Sequence, residues 1–526
     1  MRAGYLNVRL TSILAFTLAV LFHPFLSHAE SGGELVRLFD PFPAHFNSAV
    51  TDDLSITAAA SNIFVSLLEI DDEGGFQPYL ASEWDASGDG MVYTFRLAEE
   101  TVFHDGQPVT SSDVAFSYRT FRQYHPLGER LFGRVESVET PDPGTFVIHL
   151  TKPDPALLFG LACPFMPILP EHIYGPAEIL KNPANVKAVG SGPFRVVSFQ
   201  AGETFTLERF EQFLRPERPL LDRIIGRDGS DIQSALSAIN DGDAHLFTFV
   251  DTAKTAPVLS ENDKFSVTSS GYENMGAMNY LEFNLRKKPL KNREVRQAIA
   301  HAMNLESINQ TLFRDYAKPL NSPMSPASAF FKTGTVPYPT DIEKAKLLLD
   351  EAGYPLNKDG IRFETHLTWA PSEAHHQTAI HIQSQLKNIG IDVILDPPQS
   401  YIDWYIQIAK WQHHMTLSRV FSWEDPIINL HPLYSSKLIR HQVGTNTAGF
   451  HNEQADVLLE AAEAETDGDI RSGLYQQFQE LVGEELPLFF MNSPPFLTIF
   501  NPDLLNIPLT GRQVIGPMDR ISWNDN

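Results

Sequence analysis

Residues 93–121 read YTFRLAEETVFHDGQPVTSSDVAFSYRTF and combine the signals of a strand, a turn and the start of a helix. In YTFRL apolar residues alternate with polar ones, which is the period-two pattern of a half-buried strand. HDGQP consists largely of turn-forming residues. Thr110 and Asp113 have the three-residue spacing of a capping box, and the apolar residues that follow fall on one helical face. A strand joined to a helix in this way indicates an α/β fold.

His104 and Asp105 stand side by side at the turn, and the pair raises three alternatives: catalysis, metal binding or a corner of the fold. Asp105 forms turns through local hydrogen bonds of its side chain, and Gly106 does so because it tolerates positive φ. No third catalytic partner stands beside them in the sequence. We therefore interpret the pair as structural.

Residues 1–29 have the order of a secretory signal peptide: basic residues without acidic ones, the apolar run 10–22, and small residues before Glu30. The run has 13 residues, fewer than the roughly 20 that span a bilayer, so an uncleaved membrane anchor is the lesser alternative. Cys163 is the single cysteine, which leaves no internal disulfide and no lipid-attachment point. We expect cleavage after Ala29 and a soluble mature protein in the periplasm.

The chain of 526 residues has 40 basic and 65 acidic side chains and a formal net charge of −25. Loss of the signal peptide would make this charge more negative. Such a chain repels nucleic acid, and its acidic surface favours solubility and cationic ligands. A chain of this length exceeds what one hydrophobic core usually supports, so two or three domains are expected.

The opening stretch, extended to PYLASEWDASGDGMVYTFRLAEETVFHDGQPVTSSDVAFSY, resembles the signature region of the peptide- and nickel-type solute-binding proteins of ABC importers, solute-binding family 5. The resemblance continues along nearly the whole mature chain, in the order of the family. Its further blocks are VETPDPGTFVIHLTKPDPALL from Val138, PILPEHIYG from Pro167, GSGPFRVVSFQAGETFTLERF from Gly190, NYLEFNLRKKPLKNREVRQAIAHAMN from Asn279 and IEKAKLLLDEAGY from Ile342.

The residue patterns inside these blocks agree with an α/β architecture. FRVVSF and TFTLERF alternate as strands around Gly202, which predicts a hairpin. Apolar residues at helical spacing follow Lys291. Thr340 and Glu343 have capping-box spacing, and Gly353 stands where that helix should end.

The resemblance implies a two-lobed periplasmic-binding-protein fold of the α/β class, with an additional α/β domain inserted in the first lobe. The opening stretch then belongs to the inserted domain, away from the cleft. The implied segments are a signal peptide at 1–29, a first lobe at 30–70, 186–275 and 490–526, an inserted domain at 71–185, and a second lobe at 276–489.

The implied function is that of a non-catalytic receptor, which captures a small organic solute between two lobes and presents it to the membrane permease subunits of an ABC importer. We expect a monomer without a cofactor, and no nucleic-acid partner. Closure would bend the chain at two crossovers, expected near Tyr280–Phe283 and Leu488–Met491. Ligand contact with both lobes would shift the equilibrium toward the closed form.

Enzyme motifs are absent from the sequence: there is no HExxH, GxSxG, P-loop or GxGxxG. His376 and His381 are five residues apart, which does not place two ligands on one helical face. His413 and His414 precede a predicted strand, where successive side chains point to opposite faces. A periplasmic metal-dependent hydrolase is therefore a minor alternative.

The resemblance places segment 418–426, SRVFSWEDP, against the ligand from the second lobe. Arg419, Trp423 and Asp425 are the candidate ligand-binding residues in this segment, and Tyr272 is the candidate beside the crossover. Core packing is an equally reasonable role for Trp423. Arg419 needs a carboxylate partner, which either a ligand or Asp425 can supply.

Peptide-binding members of the family hold the ligand ammonium with an aspartate four residues before the proline of this segment, and here that position is Ser422. A hydroxyl carries no charge to offset the desolvation of a buried ammonium. Glu424 and Asp425 point in alternate directions if the strand continues, so at most one faces the cleft. Either Asp425 anchors the ammonium, or the solute lacks a free N-terminus; modified peptides, opines and sugar conjugates remain open.

A nickel chelate is the further alternative that the resemblance implies, because nickel-binding relatives share the fold. His431 and His441 follow the segment at a separation that forms no metal motif. We therefore predict no metal site and favour an organic solute.

Overall fold

The structure is a computed structural model, and it describes residues 29–524 apart from 31, 72–73, 261–262, 273–274, 321, 335–337 and 424. The predicted signal peptide lies outside the described residues, except for its last position. None of the helices in the described part of the chain combines the length and apolar character needed to cross a bilayer.

A seven-stranded mixed sheet forms the body that we call the first lobe. Its central strand, Glu34–Phe39, has parallel neighbours on both sides and is buried along most of its length. In spatial order the strands are Ser266–Thr268, Phe496–Phe500, Leu246–Asp251, Glu34–Phe39, Arg223–Asp228, Thr204–Arg209 and Phe194–Gln200. The helices are Leu54–Ala60, Ile232–Asp241, Thr252–Thr255 and Gly511–Ile515, with 3-10 turns at Ser48–Val50 and Ala256–Val258.

A six-stranded mixed sheet forms the second lobe. Its order is Lys318–Pro319, Leu488–Ser493, Ala277–Phe283, Met415–Phe421, Phe363–Trp369 and Ile391–Leu395. Helices cover this sheet because their apolar faces complete its core. They are Arg293–Ala302, Leu305–Phe313, Ile342–Glu351, Glu373–Lys387, Tyr401–Ala409, Pro426–Tyr434, Glu453–Ala464 and Gly468–Glu485, with a 3-10 turn at Ser436–Leu438.

An antiparallel four-stranded sheet forms the inserted domain, and its core is continuous with that of the first lobe. Its strands, in spatial order, are Ala81–Ala86, Val92–Leu97, Thr145–Leu150 and Val135–Asp142. Its helices are Ser111–Tyr124, Gly128–Phe132, Leu157–Leu161 and Glu171–Tyr174, followed by 3-10 turns at Ile179–Lys181 and Pro183–Asn185. Two small sheets complete the fold: Leu68–Ile70 with Phe76–Pro78, and Ala29–Glu30 with Ser522–Asn524 and Leu504–Leu505.

His104 joins the inserted domain to the first lobe. Its Nδ1 accepts a hydrogen bond from the backbone N–H of Gly190 at 3.2 Å, and its Nε2 donates to the carbonyl of Gly192 at 3.1 Å. Burial lowers the pKa of His104 to about 4, which keeps the ring neutral. Asp105 binds His172 instead, at 2.8 Å.

Predictions of single turns and helix caps are confirmed where the sequence offers one clear candidate residue. The hairpin around Gly202 pairs as expected, and Asp113 accepts hydrogen bonds from both the N–H and the hydroxyl of Thr110, at 2.9 and 2.8 Å. The predicted cap at Thr340 is wrong by one residue. Asp341 caps that helix by accepting from the N–H of Lys344, while the hydroxyl of Thr340 donates to the carbonyl of Met303.

The two crossovers between the lobes lie at residues 269–276 and 494–495, between strands of different sheets. The predicted hinge segments differ from these positions. Tyr280–Phe283 and Leu488–Met491 lie within adjacent paired strands of the second lobe, where the ladder hydrogen bonds fix φ and ψ. The described residues between the sheets, 269–272, 275–276 and 494–495, belong to no strand of the two sheets and can absorb a change of lobe orientation.

Candidate ligand-binding cleft

A cavity of about 290 Å³ lies where the two lobes and the inserted domain meet. Residues of all three bodies line it. The first lobe contributes Ser48, Asp52, Leu54, Thr57 and Ile515, the inserted domain contributes His125, Pro126, Leu127, Arg130, Pro164 and Phe165, and the second lobe contributes Phe421, Trp423, Asn429, Gln442, Val443 and Gly444. A larger cavity of about 480 Å³ is lined by residues 69–71, 163 and 506–521, without the second lobe. Occupancy of that larger cavity would not bring the lobes together.

Trp423 contacts the inserted domain across this cavity. Its ring lies 5.6 Å from that of Phe165 at an interplanar angle of 76°, an edge-to-face geometry. Trp423 is half-buried and has φ of +49°, a left-handed conformation that tryptophan rarely adopts. The backbone is thus held in a strained state that directs the indole at the cavity.

Two opposite charges line the cavity. The side chain of Asp52 is exposed within it, and partial removal from water raises the pKa of this carboxyl, opposed by the nearby Arg130. Arg130 donates to the carbonyls of Ile428 and Gly444, at 3.0 and 3.1 Å, and to the side-chain oxygen of Asn429 at 3.1 Å. Arg130 therefore fastens the inserted domain to the second lobe, while Asp52 presents its charge to the cavity.

Arg419 lies between the lobes, at the end of a chain of hydrogen bonds through three asparagines. Its Nε donates to Asn279 Oδ1 at 2.9 Å. The amide of Asn279 donates to Asn492 at 2.9 Å, and that of Asn492 donates to Asn309 at 2.8 Å. The guanidinium lies 3.8 Å from Asp251 of the first lobe, and burial lowers the pKa of Arg419. This side chain thus links the two lobes through an ion pair, and it is not among the residues that line the cavity.

Asp425 is engaged inside the second lobe. Its two carboxylate oxygens accept hydrogen bonds from Arg471 at 2.8 and 2.9 Å, and one of them also accepts from the N–H of Ile427 at 3.0 Å. The side chains of Asp425 and Arg471 are only 14% and 7% exposed. Asp425 caps the helix Pro426–Tyr434 and pairs with an arginine from the same lobe.

Ser422 and Tyr272 stand near the crossover. The N–H of Ser422 donates to the carbonyls of Met275 and Gly276. The hydroxyl of Tyr272 accepts from the N–H of Phe249 at 2.9 Å and lies 2.7 Å from Thr498 Oγ1. Tyr272 is 3% exposed, and its hydroxyl is satisfied by these partners; Tyr272 is not among the residues that line the interlobe cavity. Glu424 lies outside the described residues.

The candidate metal ligands are engaged elsewhere. His431 Nε2 bonds the hydroxyl of Tyr475 at 2.9 Å, and His441 stacks on Trp411 while its Nδ1 donates to a backbone carbonyl. Across the described ranges, no three His, Cys, Asp or Glu side chains are placed to share a metal ion.

Of the residues predicted from the sequence, Trp423 lines this cavity, and Arg419, Ser422, Asp425 and Tyr272 do not. Asp52, Arg130 and Phe165 line it and were not predicted. The last two lie in the inserted domain, which the resemblance set apart from the cleft. The stretch TDDLS at residues 51–55 offered one signal, because two carboxylates precede a helix that needs only one of them as its cap.

The structure has two α/β lobes, which are linked by two crossovers, enclose a cavity and carry an inserted domain. These features define a two-lobed binding protein of the periplasmic-binding-protein class. Residues 75–439 match the family described as bacterial extracellular solute-binding proteins, family 5 Middle. The chain belongs to this family.

The chain is similar in sequence to relatives whose names give different ligands. Proteins of Brucella species described as peptide-binding proteins of ABC transporters are 32% identical over 322 residues, which is 60% of this chain and 59% of theirs. The chain thus matches about three fifths of the length of these relatives. The glutathione-binding protein GsiB of Pectobacterium atrosepticum is 28% identical over 87% of each chain.

Solved structures share the whole fold. The binding protein AgaA of A. tumefaciens R10, in complex with agropinic acid, is 26% identical and covers 94% of this chain and 99% of its own, with a TM-score of 0.77. The DppA protein of Helicobacter pylori, in complex with the peptide STSA, is 24% identical over 94% of this chain and 99% of its own, with a TM-score of 0.80.

Proposed function

We propose that this protein is a periplasmic receptor that captures a small organic solute between its lobes and delivers it to the membrane subunits of an ABC importer. The observation that carries the proposal is the cavity of about 290 Å³, whose walls come from both lobes and the inserted domain. A ligand in this space contacts both sides and stabilises the closed form by its differential affinity. The crossovers at 269–276 and 494–495 serve as hinges, within the domain division that the family resemblance implies.

The proposal excludes catalysis as the main role. The titratable side chains that line the cavity are Asp52, His125 and Arg130. Burial lowers the pKa of His125 to about 3, and its Nδ1 already accepts from the N–H of Leu127, so it is a poor general base. Arg130 is bonded to the second lobe. This set supports binding better than proton transfer or nucleophilic attack.

The solute class follows from segment 418–426. Among the described residues of this segment, Ser422 offers no charge, and the carboxylate of Asp425 is paired with Arg471. We therefore favour a solute that needs no ammonium anchor at this segment, such as a modified peptide, an opine or a sugar conjugate. Relatives described as binding glutathione and agropinic acid are consistent with this choice. A nickel chelate is less well supported as the solute, because the candidate ligands His431 and His441 are engaged elsewhere.

Mass spectrometry of the solute released by denaturing the purified protein tests the proposal. We expect one organic compound in near-stoichiometric amount, and its loss from Trp423→Ala, whose indole lines the cavity. Trp411→Ala is the matched control, because Trp411 is a half-buried tryptophan of the same lobe that stacks on His441 outside the cavity. Equal retention by both variants would contradict this binding site. Turnover of the released compound by the purified protein would contradict the non-catalytic role.

A further inference from the structure

A second cavity, of about 260 Å³, lies beside the interlobe cavity in the first lobe. Leu54 lines both cavities, so the two spaces adjoin. The walls are mostly apolar, and one guanidinium-bearing residue belongs to their lining. The lining residues are Arg37, Phe39, Asp40, Pro41, Asp53, Leu54, Ser55, Ala58, Thr248, Phe249 and Phe496.

Arg37 supplies that guanidinium from the central strand Glu34–Phe39 and is 1% exposed. Its Nη2 donates to Thr248 Oγ1 at 2.8 Å and to the carbonyl of Val514 at 2.9 Å. Its Nη1 donates to the carbonyl of Ala58 at 3.3 Å. The Nε–H is buried and has no acceptor among the described residues. All the acceptors are neutral, so the positive charge is not compensated by any of them.

Carboxylates near the cavity are already engaged. Asp40 pairs with Lys254 at 2.8 Å, and Asp53 caps a helix by accepting from the N–H groups of Ser55 and Ile56. No carboxylate within the described ranges forms an ion pair with Arg37. Burial lowers the pKa of Arg37 to about 10, so the group is still charged at neutral pH. A buried charge without a counter-ion is costly, and a protein usually pairs it.

We propose that this cavity binds a carboxylate of the captured solute, with Arg37 as the counter-charge. The inference rests on the proposed function and names the chemical class of the solute: an organic acid whose apolar part lies next to its carboxylate. The guanidinium supplies the charge, and Phe39, Phe249 and Phe496 supply apolar surface for the rest of the group. A neutral analogue would leave the buried charge uncompensated, so the site selects against it.

The overall charge of the protein makes the binding of an anionic solute depend more strongly on a local positive charge. With a formal net charge of −25, the surface repels anions at long range. An anionic solute therefore binds only where a local positive charge outweighs this repulsion. Arg37 can supply that charge because Lys254 neutralises Asp40 and the helix N–H groups hold Asp53, the two carboxylates that also line this cavity. The interaction of a desolvated arginine with a carboxylate is screened little by salt.

Binding of phenylacetate and its neutral isostere phenylacetamide to the ligand-stripped protein tests the inference. We expect calorimetry at fixed ionic strength to show at least tenfold tighter binding of the acid. Arg37→Gln should abolish the preference, and Arg37→Lys, which keeps the charge, should retain part of it. Ser55→Leu fills this cavity without altering the guanidinium, and Ser55 does not line the interlobe cavity, so this variant should weaken binding of the acid by tenfold or more. This variant replaces Arg37→Gln as the test if the latter does not fold.

Equal affinity for the acid and the amide, an unchanged preference in Arg37→Gln, or unchanged affinity for the acid in Ser55→Leu would overturn the inference. The natural solute provides a separate criterion. If the compound released from the purified protein carries no carboxylate, this inference fails while the proposed function stands. If the protein retains no solute and binds none from a cell extract, the proposed function itself fails.

Discussion

Replacement of Asp425 by asparagine separates the two roles that this carboxylate can have. The Asp425→Asn variant would keep the helix cap, because an amide oxygen accepts from the N–H of Ile427 as a carboxylate does. It would leave the guanidinium of Arg471, which is 7% exposed, without its anionic partner. Breaking a buried ion pair in this way costs about 3 to 5 kcal/mol. The lower value is the better estimate here, since the introduced amide can still accept one hydrogen bond from Arg471.

The assay is thermal unfolding of the ligand-stripped protein. A loss of about 3 kcal/mol in a lobe of this size corresponds to a decrease in Tm of about 6 to 12 °C. Asp467→Asn is the matched control, because Asp467 also caps a helix, that of Gly468–Glu485, but from an exposed position. We expect the control to change Tm by less than about 2 °C.

A different result would refute the assignment of Asp425 to an internal ion pair. If Asp425→Asn kept the Tm of the unliganded protein and abolished the binding of peptides with a free N-terminus, this carboxylate would be the ammonium anchor. The protein would then be an ordinary peptide receptor, and the paired geometry with Arg471 would not persist in solution.

Three further predictions address the solute, the cleft and pH. Unmodified di- and tripeptides should bind with dissociation constants in the high micromolar range or weaker, and affinity should not rise with peptide length. In a thermal-shift panel they should not differ from their N-acetylated forms; several degrees of stabilisation by free peptides alone would contradict this. Arg419→Ala removes an ion pair that links the lobes, so it should weaken binding of the natural solute at least tenfold in calorimetry. It should also lower stability by about 1 to 3 kcal/mol because Asn279 loses its donor; unchanged affinity would show that closure does not depend on this link. Burial raises the pKa of Asp154 to about 6 from 3.8, so the folded state binds the proton more tightly than the unfolded state does. The cost of ionising Asp154 is absent below about pH 4 and fully present above about pH 6. Asp154→Asn should therefore be more stable than the wild type by about 3 kcal/mol at pH 7 and equally stable near pH 4. A constant difference in the free energy of urea unfolding across this pH range would contradict the assignment.

Much of the fold was predictable because its signals are local. The alternation in residues 93–97, the glycine at 202 and the pairing of Thr110 with Asp113 each specify an element within a few residues. The order of such elements, with the family resemblance, is sufficient to indicate two α/β lobes. The helix cap at Asp341 shows the limit of this reasoning, since Thr340 and Asp341 are both good caps and only the backbone geometry selects one.

The cleft was less predictable, because its properties depend on partners far apart in the chain. Asp425 has the sequence context of a ligand anchor, and its role changes because Arg471 reaches it from a helix 46 positions away. Arg130 acquires its partners nearly 300 positions later. Arg37 reads in sequence as one polar residue in a strand, and only the fold reveals that its charge is buried without a carboxylate.

Small-angle X-ray scattering tests the central claim, that the solute is captured by closure of the lobes. The ligand-stripped protein and the same protein resaturated with its natural solute are compared at equal concentration. The account predicts a smaller radius of gyration for the loaded protein, because the cavity walls come from both lobes and the inserted domain. An identical radius of gyration in both samples, with binding confirmed by calorimetry, would contradict it.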